Sequence, residues 1–140
     1  MFMEFKELYD KAYSVSFESF KTKDCEIGSV GCAILTKTGH VYLGKNLDMS
    51  CSVGFCAERN AISSMLTYET SKIVKLACVH KSGQIITPCG ACREFMQQLG
   101  ELTVDMEILI SLEPLKTVML SDLLPMWWRD EIIKARENKK

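Results

Sequence analysis

Two short motifs carry most of the reactive side chains in this chain. Cys56-Ala57-Glu58-Arg59 is the first, and Pro88-Cys89-Gly90-Ala91-Cys92-Arg93 follows about thirty residues later. Together they offer three soft thiolate ligands and one carboxylate, and each motif leads into a stretch of helical character. Three protein ligands fill all but one vertex of a tetrahedral zinc ion, the arrangement of a catalytic rather than a structural site. Cys56, Cys89 and Cys92 are therefore the candidate metal ligands. Glu58, two residues beyond the first of them, is the candidate carrier of protons between water and a bound substrate. Three thiolates overcompensate a divalent cation by one negative charge, which weakens it as an acid toward water. Arg59 and Arg93 are placed to correct this by hydrogen-bonding ligand sulfurs.

Other readings of these residues explain less. A Cys-x-x-Cys pair also serves in redox motifs and in structural zinc sites. The redox reading leaves Cys56 and Glu58 without a role. The structural reading needs a fourth ligand, for which Cys51 is the nearest candidate; His40 and His80 fall in or beside strands, away from both motifs.

The elements that must position these groups follow from periodicity. Phe5, Leu8, Tyr9, Ala12, Tyr13, Phe17 and Phe20 recur at helical steps and predict a first helix ending near Thr22-Lys23-Asp24. Ser29 to Thr36 and His40 to Lys45 read as an antiparallel hairpin around Lys37-Thr38-Gly39. A loop from Asn46 to Phe55 leads into a helix near Cys56 whose inner face is Ala57, Ala61, Ile62 and Met65. Ile73 to His80 is a buried strand. Pro88-Cys89 opens the next helix, with Cys92, Phe95, Met96 and Leu99 on one face. Asp105 to Ser111 is a further strand, Leu120 to Leu124 a short helical turn, and an exposed helix runs on from Trp127. Cys89 and Cys92 thus share the first turn of one helix while Cys56 opens another. A metal ion would join two helix N-termini, whose partial positive charge favours thiolate over thiol.

Strands interleaved with helices predict an α/β fold with the sheet covered on both faces. The length of 140 residues and a hydrophobic content of 47% suit a single domain over 1–140, with about 129–140 as a C-terminal helical extension. The formal net charge of −1 offers no basic field for a polyanion, so no nucleic-acid partner is expected. No apolar run approaches the roughly 20 residues of a membrane span, and Met1 to Glu7 lacks the pattern of a secretory signal. The seven cysteines are an odd number, with Cys32 and Cys78 inside apolar strands as small core residues. This usage favours a reducing cytoplasm; Cys25 and Cys51 are left without an assigned role.

The two motifs closely resemble those of the cytidine deaminase family, including its blasticidin-S deaminase branch, and the similarity runs in order from about Ile27 to Trp128. Val30-Gly31-Cys32-Ala33-Ile34 is similar to the family's first strand and Gly44-Lys45-Asn46-Leu47-Asp48 to its ribose-contacting loop. Leu123-Leu124-Pro125 is similar to its closing motif. The resemblance implies a three-layer α/β/α fold with a central mixed five-stranded sheet and a compact homotetramer whose sites are completed by neighbours. It implies Zn2+ as cofactor and hydrolytic deamination of cytidine or deoxycytidine to the uracil nucleoside. It further implies that Asn46 binds the sugar, that the Ala57 backbone N–H meets the pyrimidine carbonyl, and that backbone near Thr87 and Pro88 holds the amino group. Asp48 stands where the family commonly has Glu, Gly28 replaces a frequent aromatic, and Trp128 stands at the closing aromatic position. These departures bear on the sugar side, and keep a modified nucleoside such as blasticidin S as an alternative substrate. A noncatalytic zinc-stabilised binding module is the alternative from another class.

Overall fold

The computed structural model describes residues 3–17 and 19–139. The expectations concerning a leader at Met1 and Phe2, and a domain running to Lys140, lie in part outside the described residues. Helix α1 (Phe5–Ser16) is followed by β1 (Phe20–Lys21), β2 (Cys25–Thr36) and β3 (Val41–Met49). Next come α2 (Ala57–Tyr68), β4 (Ile73–His80), α3 (Gly90–Gln98), β5 (Glu107–Leu112) and β6 (Leu115–Met119). Two final helices are α4 (Leu120–Leu123) and α5 (Trp128–Glu137).

Strand β2 is the centre of the sheet's antiparallel half, with β3 on one side and β4 on the other. Strand β5 lies parallel to β4, and β6 returns antiparallel beside it. The sheet is therefore mixed, and it has six strands rather than the expected five. The additional one is β1, whose Phe20 and Lys21 pair with Ile27 and Glu26. The aromatic spacing through Phe17 and Phe20 imitates a helix, yet α1 stops at Ser16 and both rings are exposed. A local turn takes over instead. The Thr22 hydroxyl accepts the N–H groups of Asp24 and Cys25, the side-chain competition that ends helices at Ser and Thr. Strand β6 has no strict alternation and sits half-exposed beyond Pro114, so its residues carry little periodic signal.

Alternation along the strands divides the interior in two. Cys32, Ile34, Leu76, Cys78 and Ile108 face α2 and α3, where Ala61, Ile62, Met65, Cys92 and Met96 meet them. Ala33, Leu35, Ala77, Val79 and Leu109 face Phe5, Leu8 and Ala12 of α1. The result is the three-layer α/β/α arrangement. Two glycines let the helices approach. A Cβ on Gly31 would lie 2.0 Å from the Ala12 carbonyl oxygen of α1, and one on Gly44 would lie 2.3 Å from the Ala61 nitrogen of α2. Gly44 thus seats the helix that carries Glu58 directly on β3.

The far end of α2 is tied down by Glu69. Its carboxylate accepts hydrogen bonds from Thr38 Oγ1 (2.7 Å), His40 Nδ1 (2.6 Å) and Tyr42 OH (2.6 Å). Tyr42, His40 and Thr38 together hold the Glu69 carboxyl down to about 2. A carboxyl lowered on folding contributes stability that is complete above its ordinary value of 4.5 and is lost as pH falls through the folded value. The difference in denaturation midpoint between the native chain and Glu69→Gln should therefore be widest above about pH 5 and shrink toward about pH 2. Urea titrations at several pH values measure it, and a constant difference across that window refutes it.

Candidate metal centre and active site

Both helices that carry the motifs begin on a cysteine. Cys56 is the N-cap of α2 (φ −75°, ψ 159°) and Cys89 the N-cap of α3 (φ −69°, ψ 170°). Each has extended backbone while its carbonyl accepts the first helical bond, from Asn60 N at 3.2 Å and Arg93 N at 2.9 Å. Cys92 sits on the first turn of α3 and Glu58 on that of α2. The ligand atoms of Cys56, Glu58, Cys89 and Cys92 all lie within 4.8 Å of one another, with the sulfurs of Cys56 and Cys89 3.3 Å apart. A tetrahedral zinc with bonds of about 2.3 Å separates its sulfurs by roughly 3.8 Å, so the cluster has the dimensions of such a site.

The electrostatics also call for a cation. Burial pushes the Cys92 thiol up, and hydrogen bonding and charge from Glu58 push it further. Burial, then the neighbouring Cys89, does the same to Cys56. Only Cys89 is lowered: burial opposes ionisation there, but the N–H groups of Cys92 and Ala91 and the adjacent thiols outweigh it. Without a cation, the helix N-termini and the neighbouring thiols together therefore favour one thiolate of the three. A divalent ion supplies the charge that lets the other two ionise.

Beside the cluster opens a cavity of about 440 Å³. Asn46, Asp48, Ala57, Glu58, Arg59, Cys56 and Cys89 all line it. Asn46 is held on the cavity wall, its Oδ1 accepting from Val30 N (3.0 Å) and its Nδ2 donating to Asp48 Oδ2 (3.2 Å). These two belong to strand β3 rather than to a loop, since β3 continues to Met49. Sequence reasoning overlooked Phe55, Met49 and Ser52, which also line the cavity, as do Val30 and Cys51; Cys51, the candidate fourth ligand, lies outside the metal cluster. A two-way bridge between Leu47 and Phe55 (2.9 and 3.0 Å) closes the intervening segment into a loop whose residues line the cavity. The signal available was position: the segment between Asn46 and Cys56 had to border whatever those residues enclose.

Thr87, Pro88 and Trp128 do not line that cavity. Trp128 borders a separate hollow with Gln97, Gln98 and Trp127. Its indole N–H donates to Glu94 (2.7 Å), as does that of Trp127 (3.0 Å). The arginines differ from expectation in their partners. Arg93 Nε donates to the Pro88 carbonyl (2.7 Å) and Nη1 to that of Leu123 (3.1 Å), so this guanidinium braces backbone rather than a ligand sulfur. Arg59 lies 5.6 Å over the Phe55 ring, and its Nε is buried without a hydrogen-bond partner among the described residues.

Glu58 is almost fully buried, and its Oε1 accepts the Sγ–H of Cys78 on β4 (2.7 Å). Cys32 stands opposite Cys78 in the strand register. Contact with Cys32, then burial, raises the Cys78 thiol well above its ordinary range.

A three-layer α/β/α fold whose two helix N-termini gather three sulfurs around a carboxylate, next to a polar cavity, is the architecture of a zinc-dependent hydrolytic enzyme. The family model described as the cytidine and deoxycytidylate deaminase zinc-binding region matches residues 5–107, and the chain belongs to that family. It is 33% identical over 100 residues to a cytidine deaminase of Mycobacterium tuberculosis, covering 69% of this chain and 70% of that protein. With a probable cytidine deaminase of Dictyostelium discoideum it shares 31% over 119 residues, 79% and 77% of the two chains. The fold is similar to the crystal structure of cytidine deaminase from Mycobacterium leprae (TM-score 0.73, 22% identity, 89% of this chain and 100% of that one). It is also similar to that from Burkholderia pseudomallei (TM-score 0.68, 28% identity, 89% and 98%).

Proposed function

We propose that the protein hydrolytically deaminates cytidine or deoxycytidine to the uracil nucleoside, releasing ammonia. The observation that carries this is the placement of the buried Glu58 carboxylate within 4.8 Å of all three candidate ligand sulfurs on the wall of a cavity of nucleoside size. Cys56, Cys89 and Cys92 would hold the zinc, which when bound supplies the Lewis acidity that makes water nucleophilic near neutral pH. Glu58 takes a proton from the attacking water, delivers it to the ring nitrogen N3, and then serves the departing amino group. Oxygen becomes bonded to C4, the C4–N bond breaks, and the products are the uracil nucleoside and ammonia.

The surrounding residues orient the nucleoside. Asn46 and Asp48, fixed to each other, take hydroxyls of the sugar. The Ala57 backbone N–H takes the pyrimidine carbonyl. Backbone at Thr87 and Pro88, which lead into the cavity-lining Cys89 without lining the cavity themselves, would take the amino group, with Arg93 holding the Pro88 carbonyl. Arg59 remains available to temper the charge of the sulfurs. Trp128 closes the site of a neighbouring subunit in a homotetramer, a reading supported by the individual exposure of Met126, Trp128 and Ile132 near the end of this chain. A cytoplasmic location is supported by seven cysteines that are all free. No helix among the described residues is long and apolar enough to cross a membrane.

A screen for ammonia release over cytosine, cytidine, deoxycytidine, deoxycytidylate and blasticidin S tests the reading. Turnover is expected on cytidine or deoxycytidine. Preference for blasticidin S would replace the substrate, and silence on all five by zinc-loaded protein would overturn the activity.

A further inference from the structure

We propose that Cys78 is a positioning residue for Glu58, its thiol proton holding one carboxylate oxygen and leaving the other for water and substrate. This rests on the deaminase reading above and adds to it a residue from outside both motifs. Cys78 is not a candidate metal ligand. It lies outside the group of atoms that gather within 4.8 Å of one another, and it approaches Glu58 from the sheet side. Its Sγ lies 2.7 Å from Glu58 Oε1, and both residues are buried. Cys32 is directly opposite on β2, also buried on the same face, so a line of Cys32, Cys78 and Glu58 runs from the middle of the sheet to the cavity.

A glutamate on the first turn of a helix has three side-chain torsions to restrain, and a buried carboxylate needs a donor. Strand β4 places that donor on a rigid element, with β2 paired along its edge. The chemistry of a thiol fits the task. A thiol has a single S–H donor and no further polar hydrogen, so it occupies one carboxylate oxygen alone. An amide or an ammonium in the same place would bring further donors that the buried face of the sheet leaves unpaired.

The test compares Cys78→Ala and Cys78→Ser with the zinc-loaded native chain. For Cys78→Ala, kcat is expected to fall about tenfold with KM within about twofold and zinc content unchanged, the loss of one weak orienting hydrogen bond. Cys78→Ser, which restores a donor, is expected to recover most of kcat. A second readout needs no turnover. The infrared S–H stretch that disappears in Cys78→Ala should lie at low frequency in the native chain and move to higher frequency in Glu58→Gln, where the acceptor is neutral. Native kcat in Cys78→Ala, or a serine variant no better than alanine, overturns the proposal. If the alanine variant does not fold, the band assigned through Cys78→Ser decides: a frequency unaffected by Glu58→Gln overturns it. A native chain that releases no ammonia from any nucleoside defeats the deaminase reading alone, because the hydrogen bond and its band would still be present.

Discussion

Glu58→Gln is expected to keep zinc near one equivalent per chain while kcat falls by about 10²- to 10⁴-fold, the usual share of a general acid–base group. Glutamine has nearly the volume of glutamate, so the buried position beside Cys78 and the cavity wall should remain filled. It cannot accept a proton from water or return one to the ring nitrogen. Substrate binding relies on other groups, so KM should change far less than kcat, which places the loss in the transition state. Steady-state kinetics with zinc quantified by atomic absorption measure both quantities. Retained turnover would remove Glu58 from the chemistry and revive the view of the zinc site as a structural staple for a binding module.

The second large effect concerns the ligands. Cys92→Ala should release zinc, with affinity falling by more than the 10- to 100-fold typical of losing a mere supporting partner of a ligand. Turnover should then drop below detection. Stability should fall as well, for two separable reasons. Cys92 is fully buried in the cluster that joins α2 and α3 to the sheet, so its loss leaves a small void there. A metal held by these sulfurs would also link the starts of two helices, and its binding energy would be folding energy. Chelator treatment of the native chain should lower Tm through the second cause alone, with recovery on adding zinc back. Cys92→Ala should show both losses and no recovery. If chelation left Tm and activity untouched, no ion would be holding this site together.

Much of the site was legible in the order of residues because its ligands come from two local motifs. When Cys89 and Cys92 share a helical turn and Cys56 opens another helix, local geometry nearly determines where the sulfurs point. The same holds for the inner face of α2, where Ala57, Ala61, Ile62 and Met65 recur at helical spacing and are all buried. Local pattern misleads where two conformations share one spacing. Phe17 and Phe20 continue the helical rhythm of α1, but the Thr22 turn and pairing with β2 draw the chain into a strand. The surplus charge of three thiolates, with Arg93 next to Cys92 in sequence, likewise suggested sulfur partners for Arg93. Those partners depended on where Leu123 returned thirty residues later, and its carbonyl received the guanidinium.

Cys78 marks the boundary. Read along the chain, it is one small apolar residue in a buried strand, and nothing in its neighbours distinguishes it from Ala77. Its meaning depends on strand register, which places it across from Cys32, and on Gly44, which allows α2 to settle close enough for Glu58 to reach the sheet. Residues close in sequence thus specified the candidate ligands and the carboxylate that stands among them, since a few torsions separate them. What lies behind that carrier, and which segments wall the cavity, was decided only by packing between distant strands and helices, because no local torsion links those groups.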